Sequence, residues 1–247
     1  MPKFFALPKQ IQGNKIQVDG NDAHHIINVL RGKPGDEIII CDGEGTDHLC
    51  RIDSKDPLSL SILSSKPCFA EPETRITLFQ GIPKGHKMDF IIEKTVELGI
   101  YEIVPVSTGY TIVKLEPGDG KKISRWQKIA ETAAKQCGRG RIPLVSPPLS
   151  FVQALEKASA LDACLAAYEN ENKLMWKEAV SFKKGSLSGK NPSLGIFIGP
   201  EGGYTPNEVE LFKSYGIMTA SLGSRILRTE TAGFAALLLT LYERNEL

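Results

Sequence analysis

Residues Gly195–Glu210 read GIFIGPEGGYTPNEVE, and this stretch decides how the chain is organised. An apolar run ends at Ile198-Gly199, two adjacent glycines follow at Gly202 and Gly203, and Thr205-Pro206 opens a helix. Thr205 stands as N-cap, Pro206 at the first helical position, and Glu208 closes a T-x-x-E capping box. The stretch is therefore a strand, a tight turn and a helix. It is not the G-x-G-x-x-G turn of dinucleotide-binding folds, and no Gly-Lys-Ser/Thr follows to make a Walker loop. Pro200 has no N–H to offer a phosphate, and a carboxylate at the helix start competes with any anion there. The loop suits a ligand that needs close backbone approach and backbone hydrogen bonds. A tight βα turn with no ligand accounts for the same residues.

Working outward, strand and helix alternate on both sides. Strands are expected at Ile76–Ile82, Tyr101–Val106, Leu161–Ala167, Leu194–Ile198 and Ile217–Leu222. Helices are expected at Lys87–Leu98, Arg125–Cys137, from Ser150 and from Thr229. That rhythm is the signature of a parallel sheet covered by helices. The first seventy residues read differently: short β-type runs at Lys15–Val18, Glu37–Cys41, His48–Ile52 and Leu58–Leu63, one helix over Asp22–Leu30, and frequent turn clusters. They predict a small barrel or sandwich. The proline-containing stretch Lys66–Glu73 serves as the linker, giving domains over residues 1–70 and 74–247.

The 247 residues carry a net charge of only +1, with 41% hydrophobic and 24% charged residues. Any nucleic-acid partner must therefore meet a local patch. Five cysteines without a C-x-x-C pair argue against a zinc site or a disulfide framework and for a reducing compartment. With no signal-peptide pattern and no apolar run long enough to span a bilayer, a cytoplasmic protein without a membrane partner is expected.

A second loop strengthens the ligand reading. Leu222–Ala232, LGSRILRTETA, follows the next strand and again combines a strand-end glycine with a helix start, Thr229 standing as N-cap. Arg225 and Arg228 flank the apolar pair Ile226-Leu227. Loops of successive parallel strands meet at one sheet edge, where ligands of such folds bind, and Leu161–Ala167 offers a further wall. Solvated arginines on a surface loop are the plainer alternative.

Taken together, G-P-E-G-G-Y-T at Gly199–Thr205 and L-G-S-R-I-L-R-T-E-T-A at Leu222–Ala232 resemble the signature of the RsmE-type 16S rRNA (uracil-N3)-methyltransferases of the SPOUT superfamily. The likeness extends to H-x-x-x-V-L-R at His25–Arg31, K-x-x-K-M-D at Lys84–Asp89, E-K-x-x-E-L-G at Glu93–Gly99, R-W-x-K-I at Arg125–Ile129 and Q-C-G-R-x-x-I-P at Gln136–Pro143. It implies an N-terminal PUA-like β-barrel that binds RNA and a C-terminal α/β domain with a trefoil knot. It also implies a homodimer with active sites at the subunit interface, and S-adenosyl-L-methionine as cofactor. The cofactor has no phosphate and its sulfonium is cationic, so Glu201 in the glycine loop is tolerable. On this resemblance the cofactor site comprises Leu165, Ala166, Ile198, Gly199, Pro200, Glu201, Gly202, Gly203, Leu222, Gly223, Ile226, Leu227 and Thr231. Arg228 is the candidate for holding the target base, and Glu201 (or Glu230) for taking its proton.

The substrate implied is 16S rRNA or the assembled small ribosomal subunit. Between Lys121 and Arg141 stand seven basic residues and one acid, a local charge of +6 in a chain otherwise neutral. Arg125, Lys128, Lys135, Arg139 and Arg141 are the candidates for meeting RNA phosphates, extended by Arg31, Lys84 and Lys87. A solvated helix face is the plainer alternative. One departure stands out. Similar sequences usually read like E-R-(S/C) before V-x-K, whereas here the segment is Ser107–Lys114, STGYTIVK, with Gly109 or Tyr110 in the arginine's place. Tyr110 offers a ring on which a base can stack. Two rival readings are a non-catalytic RNA-binding protein with a relic cofactor pocket, and a hydrolase or nucleotide enzyme of unrelated chemistry. The second lacks a nucleophile elbow, a Walker loop and any dense His/Asp cluster.

Overall fold

In the computed structural model the described residues are 3–112 and 120–247. The chain forms two compact units, Met1–Glu71 with Ala134–Ile142, and Pro72–Ala133 with Pro143–Leu247.

The first unit holds β1 (Lys3–Phe5), β2 (Ile11–Gln12), β3 (Lys15–Gln17), β4 (Glu37–Cys41), β5 (Thr46–Lys55) and β6 (Leu58–Pro67). They form one sheet in the order β1-β4-β5-β6-β3-β2, antiparallel except for β1 beside β4. Alternate residues such as Cys50, Ile52, Leu58 and Leu60 turn inward, as a pleated strand requires. Register shifts at Leu49/Cys50 and Ile52/Ser54 bend the long β5–β6 pair. The sheet thus curls around one core that includes Phe4, Ile16, Ile26, Ile40, Ile52 and Leu60. The helix expected over Asp22–Leu30 is instead a short α1 (Gly20–His24) widening into a π-turn over His25–Val29. The cause lies at its end. Arg31 takes a left-handed backbone with φ of 55°, and a Cβ on Gly32 would lie 2.9 Å from Cδ1 of Ile52. The Gly32 N–H then reaches the Ile26 carbonyl at 2.9 Å.

A linear division near residue 70 misses the segment Ala134–Ile142, which belongs to this first unit. It lies across the unit as a strap held by Glu71. That carboxylate accepts from Nε and Nη2 of Arg139, at 3.1 and 2.6 Å, and from the N–H groups of Gly140 and Arg141, at 2.9 and 3.1 Å. Lys135 pairs with Asp22 at 2.7 Å, and Lys3 donates to the Gly138 carbonyl at 2.9 Å. A Cβ on Gly140 would collide with Cys68 at 2.5 Å, so only glycine permits this approach.

The second unit contains β7 (Arg75–Gly81), β8 (Glu102–Ser107), β9 (Leu144–Val145), β10 (Leu149–Ser150), β11 (Ala163–Ala167), β12 (Ser193–Ile198) and β13 (Met218–Ala220). The strand order is β10-β8-β7-β12-β11-β13, with β9 also on β8, and every pairing is parallel. Around the sheet lie α2 (Lys87–Glu97), α3 (Gly120–Cys137), α4 (Phe151–Ala158), α5 (Trp176–Phe182), α6 (Pro206–Ser214) and α7 (Thr229–Arg244), α3 passing into the first unit at Ala134. The central strands are buried almost throughout, as a sheet covered on both faces demands. Phe79 and Phe197 stack across neighbouring strands at 4.4 Å, and Phe151 and Phe212 pack edge-on against Phe197. Among the described residues no helix is long and apolar enough to cross a membrane. Because the strands are parallel, the loops leaving β7, β8, β11, β12 and β13 all leave at one edge.

Arg139 is only 2% exposed, and Glu71 accepts two of its bonds; removing one member of such a buried pair typically costs about 3–5 kcal/mol. Glu71→Ala is expected to lower stability by about that amount, read as a shift in the denaturant midpoint, while Glu44→Ala on an exposed turn leaves it unchanged.

Candidate functional site

The glycine loop is shaped by close approach of backbone to backbone. Gly81, ending β7, has no room for a Cβ, which would lie 2.5 Å from Cδ of Pro200. The proline that suits no phosphate site thus packs the β12 loop onto its neighbour. The Gly203 N–H bonds the Pro200 carbonyl at 3.0 Å, closing a four-residue turn. Gly203 carries a left-handed φ of 68°, and a Cβ there would meet Oε1 of Glu169 at 2.5 Å. Gly202 has no such conformation; its constraint is the Tyr110 side chain, 2.9 Å from the position a Cβ would take.

The expected capping box at Thr205 is present. Glu208, 6% exposed, accepts from the Thr205 N–H at 2.8 Å and hydroxyl at 3.0 Å, and its other oxygen accepts from the Gly109 N–H at 2.8 Å. This carboxylate is spent on local donors and occupies the place an anion would take.

Thr229 is not an N-cap. Arg228 holds that position with extended backbone and no side-chain cap, and its carbonyl accepts from the N–H groups of Thr231 and Ala232. The Thr229 hydroxyl is used elsewhere: it donates to the Gly199 carbonyl at 2.7 Å and accepts from Nε2 of Gln80 at 2.9 Å. The start of α7 is thereby bound to the loops after β12 and β7.

These loops enclose a cleft of about 470 Å³, a size that suits a small organic ligand. Its wall includes Ile198, Gly199, Pro200, Glu201, Gly202 and Gly203 from one loop and Leu222, Gly223, Ile226, Leu227 and Arg228 from the other. Leu165 and Ala166 are not in the wall. They are fully buried within β11, whose contribution comes one step further along, from Ala167, Tyr168 and Glu169. Thr231 is also absent from it and is exposed, because the first turn of α7 turns Thr229 and Ala232 to the cleft. Glu169 carries no sequence signal of its own; it packs against Gly203, where a Cβ would leave it no room.

The cleft is mixed in charge. Lys87 pairs with Glu201 at 2.6 Å and stands 4.0 Å from Glu230, and the Lys84 N–H donates to Glu201 at 3.1 Å. Burial alone would raise the Glu201 carboxyl, but the Lys87 hydrogen bond and backbone donors outweigh it and hold the pKa below the ordinary range. That makes Glu201 a poor proton acceptor and a good brace for Lys87. Among the described residues the Tyr204 hydroxyl and Oε2 of Glu230 are buried without hydrogen-bond partners, and burial, with Glu208 and Glu169 nearby, pushes the Tyr204 phenol well up. Arg225 and Arg228 are exposed at the mouth. The residues fit a ligand with an apolar slot, hydroxyl or cationic groups and no phosphate.

Several of the basic candidates are already bonded to acidic partners. Arg139 is buried against Glu71 and Lys135 is paired with Asp22, both inside the first unit. Arg141, on the strap itself, is partly buried, and Arg31 is exposed at the end of the π-turn. In the second unit Arg125 pairs with Asp89, while Lys121 and Lys128 are exposed on α3. Lys84 is exposed and Lys87 lines the cleft. Alternation of charge along α3 carries no sign of which cations have acidic partners far away in sequence. Of the departing segment, Val113 and Lys114 lie outside the described residues.

Residues 70–241 match the model of the RNA methyltransferase domain, and residues 18–63 that of the RNA methyltransferase PUA domain. Ribosomal RNA small subunit methyltransferase E of Bacillus subtilis is 38% identical over 245 residues, covering 97% of this chain and 95% of that protein. The protein of the same name from Buchnera aphidicola subsp. Schizaphis graminum is 32% identical over 239 residues, covering 95% and 92%. A crystal structure of Ribosomal RNA small subunit methyltransferase E from Neisseria gonorrhoeae bound to S-adenosyl methionine is similar with a TM-score of 0.83 and 32% identity, covering 98% of this chain and 97% of that one.

The Lys87–Glu201 pair has a testable pH response. The Glu201 carboxyl, followed by carbon-13 NMR, is expected to titrate below the ordinary glutamate value of about 4.3. As pH falls the pair should outlast that value, and Lys87→Met should move the titration back up.

Proposed function

The chain belongs to the RNA methyltransferase family, and we propose that it transfers the methyl group of S-adenosylmethionine to N3 of a uridine in the 16S rRNA of the small ribosomal subunit. The observation that supports the cofactor most directly is the cleft, built from bare glycine backbone and apolar side chains and edged with carboxylates rather than an anion site. When bound, the cofactor supplies an electrophilic methyl group on a sulfonium. Ile198, Leu222 and Leu227 would hold its adenine, the Gly199–Gly203 backbone would supply hydrogen-bonding groups, and Glu169 and Glu201 suit its positive charge where they would repel a pyrophosphate.

In this reading the chain's own task is alignment and charge. Holding acceptor and donor in line can supply up to about 7–11 kcal/mol of the barrier in favourable cases. The uridine must be unpaired to reach the cleft, and its N3 proton must leave. Arg228, exposed on the rigid start of α7, is assigned to grip a uracil carbonyl and stabilise the anion as it forms. Glu201 is assigned the bracing of Lys87 rather than the proton. The exposed Lys121 and Lys128, with Arg31 and Lys84, are assigned to RNA phosphates. The reading also includes a homodimer, a trefoil knot in the second unit and work in the cytoplasm.

Calorimetry with S-adenosylmethionine and nucleoside mass spectrometry of small subunits lacking the mark test the proposal. Binding together with 3-methyluridine is the expected result. RNA binding without cofactor binding would leave a non-catalytic rRNA-binding protein. Arg228→Lys keeps the charge but loses the fork of donors, and the rate at saturating subunits should fall about 10²-fold or more with cofactor affinity preserved. If only RNA affinity drops, Arg228 binds and does not activate. Replacing Lys121 and Lys128 with Gln should flatten the salt dependence of RNA binding by roughly 0.7–0.9 log units for each phosphate that is no longer neutralised. An unchanged slope would make this face of α3 simply solvated.

A further inference from the structure

We infer that Tyr110 is the stacking platform on which the unpaired target base of the RNA is laid beside the cleft, a positioning residue for the methyl transfer proposed above. The inference rests on that reading. Its basis is how the loop after β8 is built. Thr108 and Thr111 close a turn, with the Thr111 N–H on the Thr108 carbonyl at 3.0 Å and the Thr108 N–H on the Thr111 hydroxyl at 2.9 Å. Gly109 and Tyr110 form its tip. The tip is pinned by the Gly109 N–H on the buried Glu208 carboxylate at 2.8 Å. A Cβ on Gly109 would lie 2.7 Å from Cγ2 of Thr205, so no other residue lets the loop dock there.

Docking delivers Tyr110 onto Gly202. The position of a Gly202 Cβ lies 2.9 Å from Cβ, 3.2 Å from Cγ and 3.4 Å from Cδ2 of Tyr110, so a second glycine is needed for the ring to rest there. Gly202 itself lines the cleft. Two glycines from separate loops thus brace an aromatic side chain at the cleft's lip, and yet 47% of Tyr110 remains in solvent. A single exposed aromatic residue needs no explanation by itself. A braced one, beside a cleft whose mouth also carries exposed Arg225, Arg228 and the 83% exposed Ile226, has the composition of a single-strand nucleic-acid site. Stacking is tolerant of base identity, so Tyr110 would hold and orient the base while other groups select it. The phenol hydroxyl is not required for this role, but the ring is.

The test measures methyl transfer to small ribosomal subunits lacking the mark, together with cofactor affinity by calorimetry and melting temperature. For Tyr110→Ala the KM for subunits is expected to rise about tenfold or more, the loss typical of a stacked base. The rate at saturation, the cofactor Kd and the melting temperature should stay close to wild type. Tyr110→Phe and Tyr110→Trp should restore the KM. An unchanged KM in the alanine variant overturns the inference. So does a fall in cofactor affinity or melting temperature that parallels the KM, because Tyr110 would then merely support the glycine loop. So too does failure of phenylalanine to rescue. Wild-type protein that binds no cofactor and transfers no methyl would instead remove the methyltransferase reading, and this inference with it.

Discussion

One hydroxyl ties the cleft together. The Thr229 side chain stands between the Gly199 carbonyl, just past the end of β12, and the side-chain amide of Gln80, next to last in β7. It does so from the first turn of a sixteen-residue helix. The Gly199 carbonyl lies just past the strand ladder and takes the Thr229 hydroxyl as its donor, while Nε2 of Gln80 is shared between that hydroxyl and the Gly81 carbonyl. Bonding both loops from one side chain fixes where α7 begins relative to the glycine loop. That in turn sets the position of Arg228, which directly precedes the helix, and of Ala232 one turn on. The rest of the cleft follows: Pro200 packs where Gly81 has no side chain, and the turn it starts ends at Gly203 beside Glu169.

Charge in the cleft follows a consistent logic. A phosphate-binding loop keeps helix-start N–H groups free and adds cations. Here the helix start at Thr205 is consumed by Glu208, the adjacent cation Lys87 is consumed by Glu201, and Glu169 approaches the loop from β11. Three carboxylates at one turn make it hostile to anions and hospitable to a cation. The arginines are kept to the outer part, where an incoming polyanion arrives. Donor chemistry and acceptor chemistry are thereby separated by sign within one small cleft.

The sequence revealed the parallel sheet well because its central strands are apolar and interrupted by helices; β12 runs over Ser193–Ile198 and α2 ends at the residue before Leu98, close to expectation. It failed where elements are too short for periodicity to register, as in β1, β2, β9 and β10. The π-turn carries no periodic signal, and the tight contact at its end, Gly32 against Ile52, joins residues distant in sequence. At the cleft the glycine motifs were legible as turns, but which glycine carries the unusual backbone was not: Gly202 and Gly203 differ in conformation though identical in chemistry. The arginines and lysines were the least legible. Arg139 reads like the exposed Lys128 until Glu71 is found beside it, and no local pattern distinguishes a cation with a distant partner from one open to a phosphate.

The strap has a consequence for how the chain is born. The first unit draws on residues up to Ile142, so about half of the polypeptide must be made before its last piece exists. At a synthesis rate of 5–20 residues per second, the roughly seventy residues between Glu71 and that piece take about 4–14 s to appear. During that interval the carboxylate of Glu71 and the sulfurs of Cys41 and Cys68 have not yet met Arg139 and Gly140. Nascent chains cannot complete the N-terminal unit in isolation; its maturation is timed by the emergence of the segment after it.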